Sequence, residues 1–210
     1  MTSLAYLASE GDTGLLDLPG LPVVLLLHGY GSDERDLAGL GPVVAGGRPW
    51  VSPRAPLALP HGGRAWLPIV TPGTPDPELL ATAVETVWGW VDEHLGTDAT
   101  VVPVGFSQGG LMATELLRTR PERVTATVVL GGFVSGHPHP TDAALAEARP
   151  SVFWGRGQQD TVLAAHAVER TSAWLPGHST LTERVYPGLA HGIHAQEVAD
   201  VASFLASVAA

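Results

Sequence analysis

The sequence predicts an α/β fold, with a mostly parallel central sheet carrying helices on both faces, built as a single domain over residues 1–210. Three observations carry that expectation. Runs such as Val23-Val24-Leu25-Leu26-Leu27 are apolar at every position, as a strand covered on both sides must be. Between such runs lie stretches at helical spacing; in 77–95, Leu80, Val84, Val87, Trp88 and Val91 share one stripe. Finally, Gly105-Phe106-Ser107-Gln108-Gly109 joins the extended run 100–104 to a helical one.

Taken in order, residues 4–8 and 12–18 alternate in part and suit a small leading hairpin. The strand 22–27 is broken by His28-Gly29-Tyr30-Gly31-Ser32-Asp33, where Asp33 stands to cap a helix over roughly 34–45. Trp50-Val51-Ser52 is a short strand. Prolines at 53, 56, 60, 68, 72, 75 and 77 then exclude helix and central strand. Trp66 and Ile69 would be costly to expose, so this segment is expected to be ordered and folded over a cleft. The helix 77–95 stops at Gly96. Pro103 removes a ladder donor from the strand 100–104, and a local irregularity is expected there. A helix over about 108–119, a strand at 124–130 ended by Gly131-Gly132-Phe133, and a short helix near 142–148 follow. A strand at 151–155, a helix at about 164–175, a strand at 181–186 and a helix near 195–208 complete the chain.

Composition removes several chemistries. A hydrophobic share of 45% with 15% charged residues describes a globular protein. The net charge of -10, with no basic stripe, argues against nucleic acid as a partner. No cysteine is present, which excludes disulfides, thiolate metal sites and cysteine nucleophiles. All 11 cationic residues are arginine, so Schiff-base chemistry, pyridoxal anchoring and the P-loop and kinase lysines are excluded as well. Serine is left as the covalent nucleophile. His137-Pro138-His139 offers at most half a metal site, and Gly155-x-Gly157-x-x-Asp160 lacks the third glycine of a dinucleotide fingerprint. Neither a metal nor a cofactor is expected. No cationic segment followed by a long apolar one opens the chain, and no apolar run approaches the ~18 residues of a membrane span. A cytoplasmic protein is the default, with room for a homodimer.

A serine hydroxyl attacks poorly at neutral pH unless a sharp turn holds it beside a base and beside N–H groups that receive an oxyanion. Glycines on both sides of Ser107 would relieve the crowding of such a turn. Asp160 lies just past the strand that ends in Val152-Phe153-Trp154-Gly155, and His191 past the one that ends in Val185-Tyr186. Ser107, Asp160 and His191 thus each lie just beyond the carboxyl end of a predicted strand, in the order of a hydrolase triad. The oxyanion donors expected are the backbone N–H groups of Tyr30 and Gln108. His194 stands either to face the cleft or to cap the last helix, and Trp66 either anchors its loop in the core or walls a pocket.

At this point the chain resembles the phospholipase/carboxylesterase group of α/β-hydrolases, which includes acyl-protein thioesterases and small bacterial carboxylesterases. The likeness rests on His28-Gly29-Tyr30-Gly31 with Asp33, Ser52-Pro53-Arg54-Ala55-Pro56, Ala65-Trp66 and Gly105-Phe106-Ser107-Gln108-Gly109-Gly110. It continues in Gly155-x-x-x-x-Asp160 and Gly188-Leu189-Ala190-His191. It implies the α/β-hydrolase fold, a Ser107/Asp160/His191 triad, hydrolysis of a small-molecule carboxylic ester or thioester, and substrate contacts at His28, Trp66 and Val162. Two departures touch the substrate pocket: Leu67-Pro68 where the family has an aromatic and an aspartate, and Val162-Leu163-Ala164 for Val-Val-Pro. With no insertion longer than about 25 residues, no separate lid domain is expected, and the open cleft suits short to medium acyl chains. Acyl transfer and perhydrolysis by the same triad stay open. So does a non-catalytic binding module on this scaffold, although such proteins usually lose a triad member and this chain retains all three.

Overall fold

Successive side chains alternate across a strand, so an unbroken apolar run needs cover on both faces. The computed structural model, which describes residues 4–9 and 20–208, meets that need with a helix layer on each side of one sheet. In chain order the elements are β1 (Tyr6–Ala8), β2 (Val23–Leu27), α1 (Gly41–Val44), β3 (Trp50–Pro53), β4 (Leu57–Ala58), β5 (Arg64–Ala65) and α2 (Pro77–His94). There follow β6 (Val101–Phe106), α3 (Gln108–Thr119), β7 (Thr127–Leu130), α4 (Asp142–Ala148), β8 (Ser151–Gly157), α5 (Ala165–His178), β9 (Thr180–Tyr186) and α6 (Ala195–Ser207). Among the described residues the sheet runs β1-β3-β2-β6-β7-β8-β9, and β4 and β5 form a separate ribbon. Only β1 is antiparallel to its neighbour in the main sheet.

The alternation sorts the core into two layers. Val23, Leu25 and Leu27 face α2 and α3, where Leu80, Val84, Val87, Trp88, Met112 and Leu116 wait, with Leu145 and Leu175 of α4 and α5 further along. Val24 and Leu26 face the other way, onto Leu37, Val44 and the α6 residues Val201, Phe204 and Leu205. No helix among the described residues is long and apolar enough to cross a membrane. No insertion there stands apart as a lid either.

Several expectations need correction. Strand β1 pairs with β3 across the chain, Leu7 opposite Ser52, and the second arm expected at 12–18 lies outside the described residues. The helix expected over 34–45 shrinks to a 3-10 turn, Ala38–Leu40, and the four residues of α1. Gly39, Gly41 and Pro42 leave no room for a longer one. Asp33 does not cap it; its carboxylate accepts from the Arg35 N–H in a preceding turn. Ile69 is 52% exposed, contrary to expectation, because one flank of its side chain forms a cavity wall and the other faces solvent.

The irregularity expected at Pro103 sits on one side of β6 only. Toward β2 the register is unbroken, with Leu25 opposite Pro103. Toward β7, Val101 bridges Val124 while Val104 pairs with Val128, so one extra residue bulges from the neighbouring chain. The Val101 carbonyl accepts from Thr125 on that side, and alternation aims the nitrogen of Pro103 the same way. The missing donor therefore falls where the ladder is already open.

Behind α3 sits a charged cluster. Arg118, 2% exposed, uses all its N–H groups: two bonds to Asp142, one each to Glu115, Ser135 and the His137 carbonyl. The network ties α3 to α4 and to the loop between β7 and α4. Removing the guanidinium would strand two carboxylates, so Arg118→Met should destabilise the fold by about 3–5 kcal/mol. A fall in the urea midpoint checks this; an unchanged midpoint would contradict it.

Candidate active site

The turn from β6 to α3 places Ser107 at φ 55° and ψ −115°. Only one other non-glycine among the described residues, Arg149, has a positive φ. A backbone held there costs roughly 1–3 kcal/mol, so the surroundings must impose it. The Ser107 N–H donates to the Leu130 carbonyl at the end of β7 (2.8 Å), and its carbonyl accepts from Gly110 and Leu111 as the helix begins. Gly109 lets the turn close on β2, since a Cβ there would lie 1.8 Å from the Leu27 carbonyl oxygen.

His191 Nε2 lies 2.9 Å from Ser107 Oγ, and its Nδ1 lies 2.7 Å from Asp160 Oδ2. The other Asp160 oxygen accepts from the N–H groups of Val162 (2.9 Å) and Leu163 (3.2 Å), which fixes the carboxylate plane. The loops bearing acid and imidazole are zipped together: Gln158 N–H donates to the Tyr186 carbonyl, and Gln159 N–H to the Leu189 carbonyl. Gly157 makes that approach feasible, since a Cβ there would meet the Leu189 oxygen at 2.2 Å. Gly157 thus serves loop packing, whereas Gly155, within β8, makes room for the Glu197 carboxyl of α6, which a Cβ would meet at 2.2 Å. The structure therefore brings together all three residues expected from the sequence.

The Tyr30 turn is held against this centre by the segments that follow it. His28 is fully buried; its Nε2 accepts from the Ala55 N–H and its Nδ1 donates to the Gly29 carbonyl. Desolvation pushes its pKa down, and the ring is neutral. Arg54 forks onto Glu34, and that hydrogen bond holds the Glu34 carboxyl down at about 2. The Trp66 indole donates to the His28 carbonyl (2.9 Å), and the Gly31 N–H to the Arg64 carbonyl. Tyr30 itself is exposed, and Gly29 packs against Phe106 and Ser107. Gln108 opens α3, where an N–H has no intrahelical partner.

A cavity of about 230 Å³ opens beside Ser107 and Gln108. Its walls are Leu67, Pro68, Ile69 and Val70 from the proline-rich segment, Leu111 and Phe133 from the core side, and Val162, Leu163 and Ala164 after the acid. The two departures from the family pattern therefore both border it. Of the three residues expected to contact substrate, Val162, 63% exposed, borders this cavity. His28 and Trp66 do not. Both are buried in the support beneath the Tyr30 turn, because their polar atoms are spent on backbone groups. Sequence reasoning missed the Gln108 side chain, which accepts from the Trp66 N–H and donates to the Leu67 carbonyl. A long amide buried at a helix start, opposite a proline-rich loop that lacks its own backbone pairing, was the available signal. His194 resolves as the cap of α6, accepting from the Glu197 N–H, and His137 and His139 bond to the Pro75 carbonyl and to Thr141.

The sequence pattern of the phospholipase/carboxylesterase family matches residues 17–209. The chain belongs to that family. Among its relatives is the esterase YpfH of Escherichia coli (strain K12), 26% identical, with 84% of this chain and 78% of that one covered. A probable carboxylesterase of Oryza sativa subsp. japonica is 25% identical over 73% of this chain and 62% of its own length. In three dimensions the chain is similar to the Bacillus cereus carboxylesterase, with a TM-score of 0.81 at 21% identity, covering 98% of this chain and 94% of that one. The fold is thus the α/β-hydrolase fold, and the protein is a hydrolase of the carboxylesterase type.

Next to the imidazole loop, Glu197 in the first turn of α6 is fully buried, and neither carboxyl oxygen has a hydrogen-bond partner among the described residues. Burial, and then the Asp200 carboxylate, push its pKa up to about 7. The folded protein therefore holds a proton that the unfolded chain releases near pH 4.5. Its contribution is present below that pH and is lost as pH rises toward 7, on the order of 3 kcal/mol in all. Glu197→Gln should flatten the fall in urea midpoint between pH 5 and pH 8 and be the more stable protein at pH 8. Identical pH profiles for the two proteins would refute this.

Proposed function

We propose that this family member hydrolyses carboxylic esters of short to medium acyl chains through an acyl-enzyme on Ser107. The observation that carries the reading is the hydrogen-bonded series Asp160–His191–Ser107, whose serine end borders an apolar cavity. In this reading His191 Nε2 takes the serine proton as Oγ attacks the acyl carbonyl, and the Tyr30 and Gln108 N–H groups receive the oxyanion. Asp160 fixes the imidazole tautomer, with the proton on Nδ1, and stabilises the imidazolium that forms. The same proton passes to the leaving alcohol as its C–O bond breaks. A water then loses a proton to His191, attacks the acyl carbon and frees the acid and Ser107. A thioester would release a thiol by the same steps.

The cavity, at about 230 Å³, supports the chain-length reading. Pockets that take drug-sized ligands typically span about 300–1,000 Å³, so a long acyl tail would have to run out over the exposed rim. Ser107→Ala should lower kcat on a p-nitrophenyl ester by about 10⁴–10⁶-fold; full activity in that variant would end the proposal. Across a p-nitrophenyl series, kcat/KM should peak at short to medium chains, and a maximum at C12 or longer would contradict the cavity argument. The same panel set beside acyl thioesters decides between oxygen and sulfur leaving groups.

A further inference from the structure

In the reaction proposed above, the leaving group must lie on the His191 side, because His191 Nε2 is the atom that returns the proton. The apolar cavity reaches Ser107 by way of Gln108 and Leu111, and His191 is not part of its wall. His191 borders a second, open cleft instead, whose floor is Leu37, Leu40, Phe106, Ile193 and Val198. One carboxylate, Asp36, stands on that wall. It is exposed, and no cation among the described residues pairs with it, whereas its neighbours Asp33 and Glu34 are engaged by Arg35 and Arg54. No arginine borders this cleft; the other titratable groups there are His191 and His194.

We propose that this cleft receives the alcohol portion of the substrate, and that Asp36 selects leaving groups with an apolar body and a fixed positive charge, as in esters of quaternary-ammonium alcohols. The mostly apolar floor gains from covering such a body. The lone carboxylate supplies the counter-charge. Asp36 is a specificity residue in this account and takes no part in proton transfer. The inference rests on the Ser107 hydrolase reading.

Butyrylcholine and 3,3-dimethylbutyl butyrate share one acyl group and nearly one shape and differ in charge, so their kcat/KM ratio isolates the effect. The ratio is internal to each variant, and a loss of folded protein cancels from it. The native protein should favour the cationic ester about 3- to 10-fold at low ionic strength, and less in concentrated salt, as expected for an exposed charge. Asp36→Asn should bring the ratio close to one, and Asp36→Glu should restore part of it. Equal handling by the native protein, a preference that survives Asp36→Asn, or no turnover of either probe while p-nitrophenyl butyrate is cleaved would overturn the subsite. Failure to cleave p-nitrophenyl butyrate at all would instead overturn the underlying hydrolase reading.

Discussion

The strained backbone of Ser107 is the constraint on which the rest of the molecule turns. A side chain at φ 55° between a buried strand and a helix start stays there only if both elements are immovable. Strand β6 meets that demand by lying between β2 and β7, with Val101, Val102 and Val104 sealed from solvent, and α3 meets it by being buried along nearly its whole length. The close approach of Gly109 to the Leu27 carbonyl then leaves the turn no other path. Two apolar layers hold the sheet, the sheet holds the turn, and the turn presents the hydroxyl.

A second theme is how three scattered segments converge beneath one loop. His28, Arg54-Ala55 and Arg64-Ala65-Trp66 are far apart in the chain. Yet Ala55 bonds to the His28 ring, Arg54 to Glu34, Trp66 to the His28 carbonyl and Arg64 to Gly31 and Ser32. Each bond fixes main chain or a side chain within a few residues of Tyr30. In the proposed reaction the Tyr30 N–H is a main-chain donor, which leaves no side-chain signature, so its position is secured by whatever braces the loop. That explains why buried polar side chains gather under an exposed turn.

Much of this could be read from residues alone, for physical reasons that differ from part to part. The run Val23–Leu27 announces a two-faced strand because five apolar residues between a proline and a glycine-rich break are too few for a buried helix. Ser107, Asp160 and His191 stand out because their residue types are chemically specific and each follows a strand. What stayed hidden depends on tertiary pairing. No periodicity could tell that β1 would join β3, or that Gly39, Gly41 and Pro42 would outweigh a helix-like pattern over 34–45. Trp66 and His28 were assigned to substrate on the resemblance. Their burial follows from backbone groups of a proline-rich loop that had to find partners somewhere.

The walls of the proposed acyl cavity and the groups of the proposed relay come from different parts of the chain. Serine, acid and imidazole issue from sheet ends, while one whole wall is borrowed from 67–75, a ribbon of backbone pinned at its base by Gln108. Such a division lets selectivity drift while chemistry stays put. If the cavity holds the acyl group as proposed, exchanging that ribbon for one of another length or bulk would retune which acids are released, and a combinatorial library confined to it would sample new preferences without unsettling the scaffold.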